Sequence, residues 1–473
     1  MVLPSLLFVF IAFVLGISSA TDTIPDYQRE SMLNAANYPS VVTIGFVLPS
    51  ENLTDSKTRE SLREYLAVKA IGGNATTNMP GLPYRLRVNP IYATHASIGN
   101  LVKALFCSRA AEGTNALFVL VDKAVQGDAG TRMANFITTI ANKAGIPTFT
   151  WSSQSNELEE FNYSDDENHA IMLASPTKNQ AKAIFAFLKT YQWRRFSIVV
   201  STQTPGYRQF LDQLGRSANF DEPSYSRFSF DSHQSHMSGR IIRTVKLSNH
   251  SKESIQNELM TLRDSTDTRI IVLFADQTNA DNIFIQARML GMTSGEYLWI
   301  CGKPVLGDHG ENRRPSMNIV PGTIVVTYSS SIEIQHEALK TATQIWSDAM
   351  EKFSRIPKLG IDYLVPPSNC DGSRMKTWDR GKELFNILRS QPIKFFDQPE
   401  VKFDEDGLAD IGSIRVLNLD QQREWRKIGE WTSNNGLLMD DITWPAGPGK
   451  PPSGRTDSAI VRIATLEEPP VRL

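Results

Sequence analysis

The sequence predicts an α/β fold of two lobes, each a doubly wound parallel sheet with helices on both faces. Three observations lead there. Short apolar, β-branched runs alternate with stretches whose apolar residues recur at helical spacing. The leading runs are apolar throughout rather than at every second residue, as strands buried on both faces require. The alternation also restarts near residue 177, so one chain of 473 residues carries two such units. Roughly 150 residues per domain is the usual scale.

In the first unit, residues 41–48 (VVTIGFVL) form a continuous strand run. Residues 56–71 put Leu62, Tyr65 and Leu66 on one helical face, and 84–92 read as a strand. Residues 97–110 space Ile98, Leu101, Val102 and Leu105 as a helix does. A strand at 117–121, a helix at 132–144 and a short strand at 146–150 complete it, with Gly145 expected at the helix C-cap. The second unit reads helix 179–191, strand 196–201, helix 207–215, strand 224–230, helix 253–264, strand 270–275, helix 276–290 and strand 297–301. Strand 323–328 and a long helix at 336–353 follow, the helix with Leu339, Ala342, Trp346, Ala349, Met350 and Phe353 on one face. Past residue 398 short strands at 401–403, 414–419 and 425–430 read as a meander added to a sheet. Residues 446–457 (AGPGKPPSGRTD) are a Pro/Gly linker, and 459–465 one more strand. A strand that opens a domain, with nothing after it, reads as a sequence cut at a domain boundary.

Composition bounds the function. Hydrophobic residues are 41% and charged residues 21%, enough for sizeable cores. The net charge of −2 gives no global pull on nucleic acid or anionic membrane, so no nucleic-acid partner is expected. Residues 1–20, apolar from Leu6 to Leu15 and ending Ser18-Ser19-Ala20, read as a signal peptide. Asn52, Asn74, Asn162 and Asn249 head Asn-x-Ser/Thr sequons, which that compartment would glycosylate.

No catalytic residue, cofactor or metal is expected. Neither a phosphate-binding glycine loop nor a Gly-x-Ser-x-Gly elbow is present. His233 and His236 after Asp231 read as a solvated loop rather than metal ligands, and Asp404-Glu-Asp406-Gly407 reads as a turn. In a cleft at the carboxyl ends of the strands, Ser152, Ser153, Ser201 and Thr202 are the candidates to hold a small ligand's carboxylate. Helix capping is the competing use of such hydroxyls. Of three cysteines, Cys301 ends an apolar strand and reads as a buried free thiol. Cys107 lies near a helix end and Cys370 in a polar loop. A bridge between them would close a loop of over 260 residues.

Several segments resemble the amino-terminal domains of ionotropic glutamate receptors, most closely NMDA-type receptors of the glycine-binding subunit 1 type. They include Gln192-Trp-Arg-Arg-Phe-Ser-Ile-Val-Val200, Thr268-Arg-Ile-Ile-Val-Leu273 and Ala287-Arg-Met-Leu-Gly-Met-Thr-Ser-Gly-Glu-Tyr-Leu-Trp299. Pro366-Pro-Ser-Asn-Cys370, Trp378 and Glu383-Leu-Phe-Asn-Ile-Leu388 continue the likeness. So do Val401-Lys-Phe-Asp-Glu-Asp-Gly407, Val416-Leu-Asn-Leu419, Trp444-Pro-Ala-Gly447 and Ile463-Ala-Thr-Leu-Glu-Glu-Pro-Pro470.

The resemblance implies a type I periplasmic-binding-protein-like clamshell. It would have lobe 1 at 40–176 and 304–396, lobe 2 at 177–303 and 397–445, and the start of a truncated agonist-binding domain at 458–473. It implies a first-lobe disulfide at Cys107 and Cys370. It also implies a role in assembly with other receptor subunits and in regulating gating, on the extracellular side of the postsynaptic plasma membrane. The family's modulator pocket uses aromatic residues at positions that fall near Thr139 and Lys143 here, so aromatic stacking of phenylethanolamine-type modulators is lost. The alternative is a secreted binding protein that captures an amino acid or similar small ligand.

Overall fold

The computed structural model describes residues 41–49, 77–78, 85–92, 98–106, 113–162, 169–219, 240–308, 310–312, 314–356, 364–367, 377–394, 400–404, 407–409, 413–445, 447 and 451–452. The predicted signal peptide, Asn52, Asn74, Cys107, Cys370, His233, His236, the predicted helix 56–71, the predicted strand 224–230, most of the predicted linker and the predicted final strand lie outside the described residues.

The first sheet has six strands in the order β2-β3-β1-β4-β5-β6. They are β1 (Val41–Leu48), β2 (Thr77–Asn78), β3 (Arg85–Tyr92), β4 (Thr114–Val121), β5 (Thr148–Ser152) and β6 (Ala170–Met172). All pair in parallel except the short β2. The pleat sorts the apolar run of β4. Ala116, Phe118 and Leu120 enter one core, while Leu117, Val119 and Val121 enter the other. Helices α1 (Ile98–Phe106), α2 (Lys123–Ala144) and α3 (Ser155–Asn162) lie on the second side. Gly145 ends α2 at φ +71°, where an L side chain would be strained, as its predicted C-cap role requires.

The second sheet has eight strands, β14-β13-β12-β11-β10-β9-β7-β8. Its parallel part is β7 (Arg195–Ser201), β8 (Arg240–Leu247), β9 (Ile270–Phe274), β10 (Leu298–Gly302) and β11 (Ile324–Tyr328). The antiparallel extension is β12 (Ile414–Leu419), β13 (Trp425–Thr432) and β14 (Gly436–Met439). Helices α4 (Thr177–Thr190) and α5 (Tyr207–Asn219) cover one face. Helices α6 (Lys252–Ser265) and α7 (Gln277–Met289) cover the other. Ser251 and Asp276 cap these last two through their side-chain oxygens. The chain then returns to the first sheet with α8 (Ile332–Ser354) and α9 (Gly381–Ser390).

Two boundaries differ from the sequence reading. The sequence reading places residues 304–328 in the first lobe, but β11 pairs in parallel with β10 in the second sheet. Val325 and Val326 face opposite cores there, so the strand needs both faces covered. The sequence reading places residues 397–409 in the second lobe, yet Phe403, Leu408 and Ala409 fill the first lobe's core. Val401 bridges Ile393, and the Gly407 carbonyl accepts the Met172 N–H at 2.9 Å. Elements β6, α3, β8 and β14 were not anticipated. Strand β8 carries Arg240, Arg243 and Lys246 on a sheet edge, which masks its pattern. No helix among the described residues is long and apolar enough to cross a membrane.

Candidate functional site

Among the described residues the chain passes between lobes three times: from β6 to α4, from β11 to α8, and from the first-lobe segment ending at Ala409 to β12. These crossings bring the carboxyl ends of strands from both sheets together, the usual ligand position in open α/β folds. There β4 ends at Val121, β5 at Ser152, β10 at Gly302 and β11 at Tyr328.

Tyr328 links the lobes most directly. Its buried hydroxyl accepts the Ser155 N–H at 2.6 Å. Its single proton faces the carbonyls of Ser152 at 3.3 Å and Ser153 at 3.1 Å. The start of α3 adds two more bonds. Gln154 Nε2 donates to the Gly307 carbonyl, and Asn156 Nδ2 to the Pro205 carbonyl, both at 2.9 Å. Ser155 Oγ donates to the Ser175 carbonyl at 2.8 Å, tying α3 to the first crossing. At the third crossing Lys178 pairs with Asp404 at 2.6 Å. Tyr328→Phe keeps the ring and leaves the buried Ser155 N–H without its acceptor. It is expected to cost about 1–3 kcal/mol of stability, read as a lowered denaturation midpoint.

Lys303 follows β10 directly and is 2% exposed. Its Nζ donates to the Tyr328 carbonyl at 3.3 Å and lies 4.2 Å from the centroid of the Tyr328 ring. Its backbone N–H donates to Gln180 Oε1 at 2.9 Å. Burial first, and then the neighbouring Arg415, push its ammonium down to about 7, against the pull of Glu311 and Asp122. Asp122, just past β4 on the opposite lobe, accepts from Gln335 Nε2 at 3.1 Å.

The four predicted hydroxyl residues divide. Ser152 and Ser153 reach the seam through their carbonyls, and Ser152 Oγ accepts the Gln154 N–H at 3.0 Å, which is the local capping use. Ser201 Oγ accepts from Gln203 N and Asn279 Nδ2, each at 3.3 Å, and Thr202 Oγ1 donates to the Leu247 carbonyl at 3.2 Å. These last two organise a turn of the second lobe, which touches the first lobe through Pro205. Of the described sequons, Asn249 is exposed and its Oδ1 accepts the Ser251 N–H at 2.9 Å, while Asn162 ends α3. Cys301 is a free, buried thiol whose pKa burial pushes up, so it is a poor nucleophile.

Sequence reasoning missed Gln154, Asn156, Gln180, Lys303 and Tyr328. A lysine directly after the apolar run Leu-Trp-Ile-Cys-Gly was the available signal, since charge at a buried strand's carboxyl end needs a reason. Gln154 Oε1, Asn156 Oδ1 and Gln180 Nε2 are buried without a hydrogen-bond partner. A small polar ligand or ordered water would complete them. Among the described residues no group of three or more His, Cys, Asp or Glu could hold a metal ion. The arrangement supplies a buried ammonium and amide groups between two hinged lobes, which is chemistry for binding. Residues 102–358, more than half of the chain and spanning both lobes, match the family model described as receptor family ligand binding region, and the chain belongs to that family.

Proposed function

We propose that this protein is the extracellular amino-terminal regulatory and assembly domain of an NMDA-type glutamate-gated channel subunit. The observation that carries the reading is the closing segment. The motifs resembling that receptor type between Val401 and Gly447 coincide with the third crossing, β12 and the aromatic end of the fold. There Trp444 packs edge-on against Tyr191 and Trp193, and Trp193 Nε1 donates to the Pro452 carbonyl at 3.0 Å. The chain thus passes into the linker from the second lobe. Phe136 on α2, 44% exposed and one turn from Thr139, supports a partner subunit against the first lobe.

Co-expression with other receptor subunits tests this. A stable hetero-oligomer that Phe136→Asp weakens at least tenfold is expected. Monomeric protein that captures no subunit would overturn the reading. A second reading, a secreted small-ligand binder, draws on the unpartnered amides of Gln154, Asn156 and Gln180. Calorimetry with glycine, glutamate and other amino acids separates the two, because saturable binding favours the second.

The Cys107–Cys370 disulfide is part of the proposal. Alkylation followed by intact-mass measurement is expected to show one thiol accessible only after unfolding, Cys301, and two released only by reductant. Losing the bridge should cost about 2–4 kcal/mol. Three thiols free without reductant would sink the pairing.

A further inference from the structure

We propose that Lys303 is a proton-operated latch on the clamshell: proton loss from its side chain favours the lobes in contact, and proton gain favours their separation. This rests on the two-lobed fold alone and stands whether or not the protein serves a receptor channel.

Geometry motivates it. Lys303 sits at the carboxyl end of a central strand, on the face that meets the other lobe. Among the described residues no carboxylate pairs with it, although a buried ammonium ordinarily needs one. Of the two carboxylates in the turn that follows it, Asp308 and Glu311, Glu311 is paired with Arg415 at 2.6 Å. Across the seam, Asp122 attracts the ammonium and also holds Gln335. The groups in direct contact with Lys303 are uncharged, the Tyr328 ring and carbonyl from β11 and Gln180 from α4, and Arg415 of β12 is the nearby cation. One of three ammonium protons therefore has a hydrogen-bond acceptor. The same Tyr328 that receives it carries the hydroxyl bonded to Ser152, Ser153 and Ser155 of the other lobe. Hydrating Lys303 and parting the lobes are thus one event at one side chain.

The direction follows from linkage. With the lobes in contact the ammonium loses its proton near pH 7, whereas a hydrated lysine holds it to about 10.5. The separated form therefore binds the proton more tightly, and acid favours it. The contact form gains as pH rises between those values and is insensitive below and above them. Between pH 6 and pH 9 the equilibrium constant for closure is expected to rise by up to about 100-fold.

The test is energy transfer between labels at exposed Arg132 on α2 and Glu258 on α6 in the full chain, from pH 6 to pH 9. The wild type should close as pH rises. Lys303→Met should be closed throughout, and Lys303→Arg, charged throughout, should be open throughout. Asp122→Asn keeps the lysine but removes an attraction that helps hold the charged form closed, so the closure midpoint should move to higher pH. Gel filtration and circular dichroism certify folding, and Lys303→Arg and Asp122→Asn decide the question if Lys303→Met fails to fold. A wild type whose lobe distance is constant over this range overturns the latch. So does an equal pH response in Lys303→Met or Lys303→Arg, or a midpoint that falls in Asp122→Asn.

Discussion

Trp346→Ala is expected to lower the stability of the first lobe by about 3–5 kcal/mol, the range for emptying a large buried aromatic site. Trp346 is fully buried in the middle of α8, among Phe353, Ala342 and the strand residues Phe118 and Leu120. Its indole N–H donates to Asn115 Oδ1 at 2.9 Å. Asn115, on β4, uses its amide nitrogen on the Leu364 carbonyl at 2.8 Å and on Met350 Sδ at 3.1 Å. One substitution therefore opens a cavity and strips an acceptor from a buried network joining segments more than 200 residues apart. Urea denaturation would show an early first-lobe transition with the second-lobe transition in place, because the second sheet has its own cores. A loss under 1 kcal/mol would contradict this packing.

Gly407→Ala is expected to cost about 2–5 kcal/mol and to disturb the hinge as well. Gly407 has φ +71°, and a Cβ there would lie 2.2 Å from the Ala170 carbonyl oxygen. The left-handed conformation costs a non-glycine residue roughly 1–2 kcal/mol, and the overlap with fixed backbone adds about 1–3. Relief would pull the third crossing off β6, breaking the Met172 N–H bond to the Gly407 carbonyl. The Asp404 turn, closed by Leu408 N–H on Asp404 Oδ1 at 2.9 Å, would shift with it. The Lys178–Asp404 pair then loses its anchor. A lowered denaturation midpoint with increased proteolysis between residues 400 and 413 is the expected result. Unchanged stability would refute the close approach.

The apolar strand runs and the helical spacing made the two-sheet architecture legible. Residues 270–275 illustrate why: Ile270, Val272 and Phe274 enter one core and Ile271, Leu273 and Ala275 the other. A strand buried on both faces writes its environment directly into its composition. Gly145 and Cys301 were legible for the same reason, each position allowing few residue types. The candidate site was legible only in position. Counting from strand ends leads to Ser152 and Ser153, which do lie at the seam, where Ser152 Oγ accepts the Gln154 N–H.

What the sequence determined by itself is the pattern of buried and exposed faces, because periodicity depends on neighbours a few residues away. What only the tertiary structure decided is which sheet receives β11, which lobe keeps residues 400–409, and that Lys303 and Tyr328 meet Asp122 and Ser155. The last of these depends on contacts such as Ser155 to Tyr328, 173 residues apart. Such contacts are set by how two sheets share three crossings, and no local run of residues encodes them.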